Sequence, residues 1–168
     1  MGYHKLAREL DMEPQEAKTM LQDFHAKVPF MKGMLEAVMN RANNKGVIRT
    51  LLGRKCRFDL WEPTQWGVHK ALPLNQAQTE YGMAIKRAYT YKALNRLIQG
   101  SAADQTKKAM VDVYEELGIV PLIQVHDELD CSVKDEKQGK QIKDIMENCT
   151  KLEVPSKVDV EINESWGG

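Results

Sequence analysis

The stretch LIQVHDELDCSV, Leu122 to Val133, decides how the rest of the chain is read. It opens with the strand formers Ile123 and Val125, breaks at His126-Asp127-Glu128, and resumes with Leu129, Cys131 and Val133 alternating with polar residues. That pattern predicts a β-hairpin with charge at its tip. Asp127 and Glu128, held together on a stiff turn, are hard oxygen donors of the kind Mg²⁺ accepts. Taken alone, an acidic turn is better explained as solvated surface, so a functional meaning depends on its flanks.

Upstream, the apolar positions Tyr81, Ala84, Ile85, Ala88, Tyr91, Leu94, Leu97 and Ile98, then Ala102 to Leu117, predict one long helix from Asn75 to about Gly118. Gly100 in its middle costs about 1 kcal/mol relative to alanine, which predicts a bend or break there and permits close backbone approach. Downstream, Asp135 is placed to cap a helix striped by Ile142, Ile145, Met146, Cys149 and Leu152. Val158, Val160 and Ile162 then alternate with Asp159 and Glu161, predicting a terminal strand that joins the sheet of the hairpin.

Three helices are predicted before residue 46. Tyr3, Leu6, Ala7 and Leu10 mark the first, Pro14 opens the second, and Met31 to Met39 stripe a third that stops at Asn43-Asn44-Lys45-Gly46. Their methionines read as irregular core filling. Gly46 to Leu60 reads as a second hairpin punctuated by Gly53-Arg54, and Trp61 to Leu74 as a loop whose tryptophans pack onto the core.

The 168 residues carry no net charge, so the total names no partner. The distribution is informative: Arg41, Lys45, Arg49, Arg54, Lys55 and Arg57 follow one another without an intervening acid. Such a block is either a solvated strand pair or a surface for nucleic-acid phosphates. No apolar run is long enough for a membrane span, and three scattered cysteines without CxxC spacing fit a reducing cytoplasm rather than a disulfide framework.

Taken in order, MGYHKLAREL, TLLGRKCRF, LNRLIQGSAAD, VHDE and VPSKVDVEINESW resemble the C-terminal part of a family A DNA polymerase, the DNA polymerase I type. Each string is short; their order and spacing cover essentially the whole chain. The resemblance implies an α/β (α+β) fold in which a helical fingers portion, residues 1–60, packs beside a small antiparallel palm sheet flanked by helices, residues 61–168. It also implies template-directed nucleotidyl transfer from a dNTP to a primer 3′-hydroxyl, with Mg²⁺ as cofactor and primer-template DNA and dNTP as partners.

The resemblance further implies site residues. Asp127 becomes one of two aspartates that bind two Mg²⁺ ions roughly 3.5 to 4 Å apart, with Glu128 auxiliary beside it. His126 falls near the primer-terminal backbone, and Asn95 and Gln99 fall against the template and the minor groove at the terminal pair. Minor-groove acceptors occupy similar places in every base pair, so amides there test geometry without reading sequence. Arg54, Lys55 and Arg57 belong to the family's basic hairpin. Tyr91, followed by Lys92, stands where the family commonly has an arginine, which leaves that template contact without a direct counterpart.

The family's other metal-binding aspartate and its nucleotide-gripping helix match nothing in this sequence and would lie upstream of Met1. The expected partner is therefore an N-terminal polymerase piece, as in a phage with a split polymerase, without which this chain is inactive. The competing expectation is a stand-alone DNA-binding module without catalysis. A metal-dependent nuclease using Asp127 and Glu128 has less support, because no further acidic cluster stands at suitable spacing.

Overall fold

The computed structural model describes residues 2–67 and 69–165, so Met1 and Trp166 of the family strings lie outside the described residues. The chain forms two compact units, one of Met1–Ile48 with Cys56–Asn95 and the other of Arg49–Lys55 with Arg96–Gly168. Helices and small antiparallel sheets make up both.

In the first unit, α1 (Tyr3–Glu9), α2 (Pro14–Lys27) and α3 (Pro29–Lys45) follow the predicted order. Pro14 and Pro29 occupy first-turn positions, where a missing N–H costs nothing. Gly46, at φ 66°, closes α3 by donating its N–H to the Ala42 carbonyl at 2.9 Å. The residues buried on these helices are Ala7, Ala17 and Ala42, so close contacts are made by small side chains. Met20, Phe24 and Phe30 are exposed, which corrects the core-filling reading at Met20.

Two expectations fail in the same unit. The segment read as a loop carries β3 (Leu60–Pro63) and β4 (Leu72–Pro73), which join β5 (Ile85–Arg87) in a sheet of order β4-β3-β5. The long helix is interrupted not at Gly100 but at Gly82, which follows α4 (Leu74–Tyr81) with φ 73°. Apolar spacing through Ile85 and Ala88 mimics a helix, but three residues pair with β3 and Ala88 donates to the Leu60 carbonyl at 2.8 Å. Arg87 fastens this corner: it stacks 4.5 Å from the Trp61 ring centroid and donates to the carbonyls of Phe58 and Asn43. Trp61 thus packs as expected, whereas Trp66 is almost wholly exposed and does not.

A two-stranded ribbon, β1 (Val47–Arg49) with β2 (Lys55–Arg57), occupies the predicted Gly46–Leu60 hairpin, and its tip is assigned to the second unit. Helix α5 (Ala93–Leu117) starts at the end of the first unit and runs unbroken through Gly100 into the second. Next come β6 (Ile123–Val125), β7 (Glu128–Asp130) and α6 (Glu136–Asn148). Asp135 caps α6 as expected, accepting from the Gln138 N–H at 2.8 Å.

The core of the second unit is Val113 of α5 with Ile142 and Ile145 of α6. Leu117, Ile119, Cys131, Val133 and Met146 pack against it, so the residues that follow β7 anchor the hairpin to the helices. The predicted terminal strand is not in a sheet. Val158 donates its N–H to Glu147 at 2.9 Å, the Lys143 ammonium donates to its carbonyl, and Ile162 and Val160 close over Gly139. Side chains of α6 thereby take the backbone groups that a β-ladder would have used.

Candidate functional site

The β6–β7 hairpin has the register Ile123↔Asp130, Gln124↔Leu129 and Val125↔Glu128, leaving His126 and Asp127 as a two-residue turn. Asp127 is therefore at the tip and Glu128 is the first residue of the returning strand. Two-residue hairpin turns of the primed types demand positive φ at their first central residue, and His126 meets this at φ 52°. A non-glycine residue there is strained by roughly 1–2 kcal/mol. The Gln124 side-chain amide donates to the His126 carbonyl, and Leu122 donates to the Asp130 carbonyl at 2.8 Å. His126, Asp127 and Glu128 are all exposed.

Below the tip the surroundings become apolar. Burial, and then the charge of Asp130, pushes the Cys131 thiol up from its usual range. One carboxylate oxygen of Asp130 is buried without a hydrogen-bond partner among the described residues. Asp127 and Glu128 have the donor chemistry for Mg²⁺, but among the described residues no third acidic, histidine or cysteine side chain joins them in a group able to hold a metal.

Asn95 and Gln99 stand four residues apart on α5, hence about one turn and 6 Å apart on one face. Both are exposed, so neither amide suffers the cost of unpaired burial. Tyr91, where the resemblance leads one to expect an arginine, is exposed, and the Lys92 ammonium lies 5.6 Å from its ring centroid and 5.1 Å from that of Tyr89. A cation over two rings supplies charge near that position by a different side chain.

The basic residues of the ribbon divide. Lys55 and Arg57 are exposed, and so is half of the Arg54 side chain. Arg54 is committed on two sides: its Nε donates to Asp104 Oδ1 at 2.7 Å and its Nη2 to the Gly100 carbonyl at 2.8 Å. The Thr50 hydroxyl donates to the other Asp104 oxygen, and the Leu51 N–H donates to Ser101 Oγ at 3.0 Å. Burial pushes the Asp104 carboxyl up, but the hydrogen bonds from Thr50 and Arg54, the guanidinium charge and the Leu52 N–H outweigh it and hold the carboxyl below its usual value. Sequence reasoning missed Asp104. Its only signal was an acid following Ala102-Ala103 on a helix, which reads equally well as solvated.

A sequence model described as DNA polymerase family A matches residues 1–168. A DNA-directed DNA polymerase of Pseudomonas phage M6 is 43% identical over 161 residues, covering 96% of this chain and 21% of the relative. A thermostable DNA polymerase I of Thermus aquaticus is 29% identical over 99% of this chain and 19% of its own length. Among solved structures, the POL domain of Pol1 from M. smegmatis, in complex with DNA primer-template and dNTP, is similar with a TM-score of 0.75 and 29% identity. That match covers 99% of this chain and 28% of the solved one. The chain thus spans about a fifth of the length of these curated relatives.

Proposed function

The chain belongs to DNA polymerase family A, and from that premise we propose that it forms the motif-bearing C-terminal part of a template-directed polymerase active site. Residues 1–60 serve as part of the fingers and residues 61–168 as part of the palm. The observation that carries the reading is the β6–β7 turn: a strained His126 holds Asp127 at an exposed tip, and strain of this kind persists where the surrounding structure imposes it for a purpose.

In this reading Asp127 offers its carboxylate to Mg²⁺, Glu128 stands beside it, and a second aspartate comes from an upstream polymerase portion. A Mg²⁺ ion held there would supply positive charge for activating the primer 3′-hydroxyl and stabilising the leaving oxygen. His126 meets the primer-terminal backbone, while Asn95 and Gln99 present donors to minor-groove acceptors at the primer end. Lys55 and Arg57 face phosphates.

The need for an upstream portion has physical support. A two-stranded hairpin is marginal alone, and here Leu122, Ile123 and Val125 are exposed while an Asp130 oxygen is buried unpartnered among the described residues. A further layer carrying a hydrogen-bond donor would satisfy both. The deciding experiment mixes the chain with an N-terminal family A portion and follows Mg²⁺-dependent primer extension. Asp127→Ala is expected to abolish extension; extension that survives undiminished removes the metal role.

A further inference from the structure

We propose that Asp104 is a positioning residue that latches the ribbon tip, Arg49–Lys55, to the turn of α5 carrying Gln99, so that tip and amide meet duplex DNA as one rigid surface. The inference rests on the DNA-binding reading above and adds a residue that the reading does not use.

Within the second unit, the tip is tied to α5 at successive points. Arg54 bridges Asp104 and the Gly100 carbonyl, Thr50 donates to Asp104, and Leu51 donates to Ser101, which itself donates to the Leu97 carbonyl at 2.7 Å. The Gly100 carbonyl belongs to the residue that follows Gln99, and Ser101 is next, so the backbone carrying Gln99 is gripped on its C-terminal side.

The approach to α5 at Gly100 is close. A Cβ on Gly100 would lie 2.8 Å from Thr50 Cγ2, so the contact exists only because position 100 has no side chain.

The energetics favour a role in specificity over one in bulk stability. Asp104 is 6% exposed and Thr50 7%. A buried carboxylate is costly unless fully paired, and replacing such pairs with apolar groups is often neutral or stabilising. What the ionic latch provides and an apolar contact does not is a single orientation, because the planar Arg54 fork is fixed between two acceptors on the helix. Arg54 then acts through the placement of its neighbours, leaving exposed Lys55 to meet phosphate.

The test measures binding of the full chain to a primer-template duplex at low salt by fluorescence anisotropy, with melting curves alongside. The variants are Asp104→Asn, Thr50→Val, Thr50→Ser, Gln99→Ala and the double variant of Asp104→Asn with Gln99→Ala. Asp104→Asn is expected to weaken binding about tenfold, and Gln99→Ala to cost little more once the latch is gone. Thr50→Val should repeat the loss, while Thr50→Ser, which keeps the hydroxyl, should bind like the parent.

A merely structural Asp104 would lower the melting temperature yet leave the Gln99→Ala loss the same in both backgrounds, and that additivity overturns the proposal. So does parental affinity in Asp104→Asn. If that variant does not fold, equal binding by the two Thr50 variants overturns it. Failure of the parent chain itself to bind the duplex removes the DNA-binding reading, and the latch proposal with it.

Discussion

Arg54 and Asp104, fifty residues apart in sequence, meet through a 2.7 Å hydrogen bond between a guanidinium Nε and a carboxylate that is almost fully buried. Because Thr50 shares the same carboxylate, the ribbon tip and α5 of this unit are held by one ionised group.

Acid should weaken this contact. The folded Asp104 carboxyl lies below its ordinary value of 3.8, so its contribution is fully present above that pH. It is lost as pH falls through the folded value. Glu147 follows the same sign, held down first by the Val158 N–H and then by Lys143, with burial opposing them. Hydrogen exchange at the Leu51 amide, followed as pH falls from 5, should show protection declining only below about pH 4.

Gly100→Ala sets two effects against each other. Alanine in place of a mid-helix glycine gains about 1 kcal/mol of helix propensity. The new methyl meets Thr50 Cγ2 at 2.8 Å, and Thr50 can turn away only by giving up its bond to Asp104. Overpacking of this kind costs about 1–3 kcal/mol, before any loss of the hydrogen bond is added. The net outcome is destabilisation, which urea unfolding of the two proteins measures directly.

His126→Gly separates stability from function. Glycine adopts the φ of 52° without strain, so the melting temperature should not fall. Loss of the imidazole at the tip should still weaken primer-terminus binding if that side chain meets the backbone there. A clear drop in melting temperature would show that His126 is held for packing instead.

Neutralising Lys55 and Arg57 tests which basic residues face phosphate. Each lost phosphate contact should reduce the slope of log affinity against log salt by about 0.9. Lys55→Gln and Arg57→Gln are expected to behave this way in a salt titration of duplex binding. Arg54→Gln should weaken binding with a slope close to the parent's, because two edges of its guanidinium are already engaged within the protein.

Local chemistry made part of this protein legible from its sequence. The β6–β7 hairpin, the Gly46 stop, the proline-started helices and the Asp135 cap depend on residues within a few positions of one another, and the ordered short strings sufficed to point to family A. The helix stripes of Val113, Ile142 and Ile145 likewise identified the core that anchors the hairpin. Tertiary structure decided the rest. Helical spacing at Ile85 gave way to pairing with β3, the alternation at Val158 to Ile162 gave way to side chains of α6, and an acid that looked solvated became a buried latch. Each outcome turns on which distant group reaches a backbone or carboxylate first, a competition between contacts far apart in sequence that no local pattern encodes.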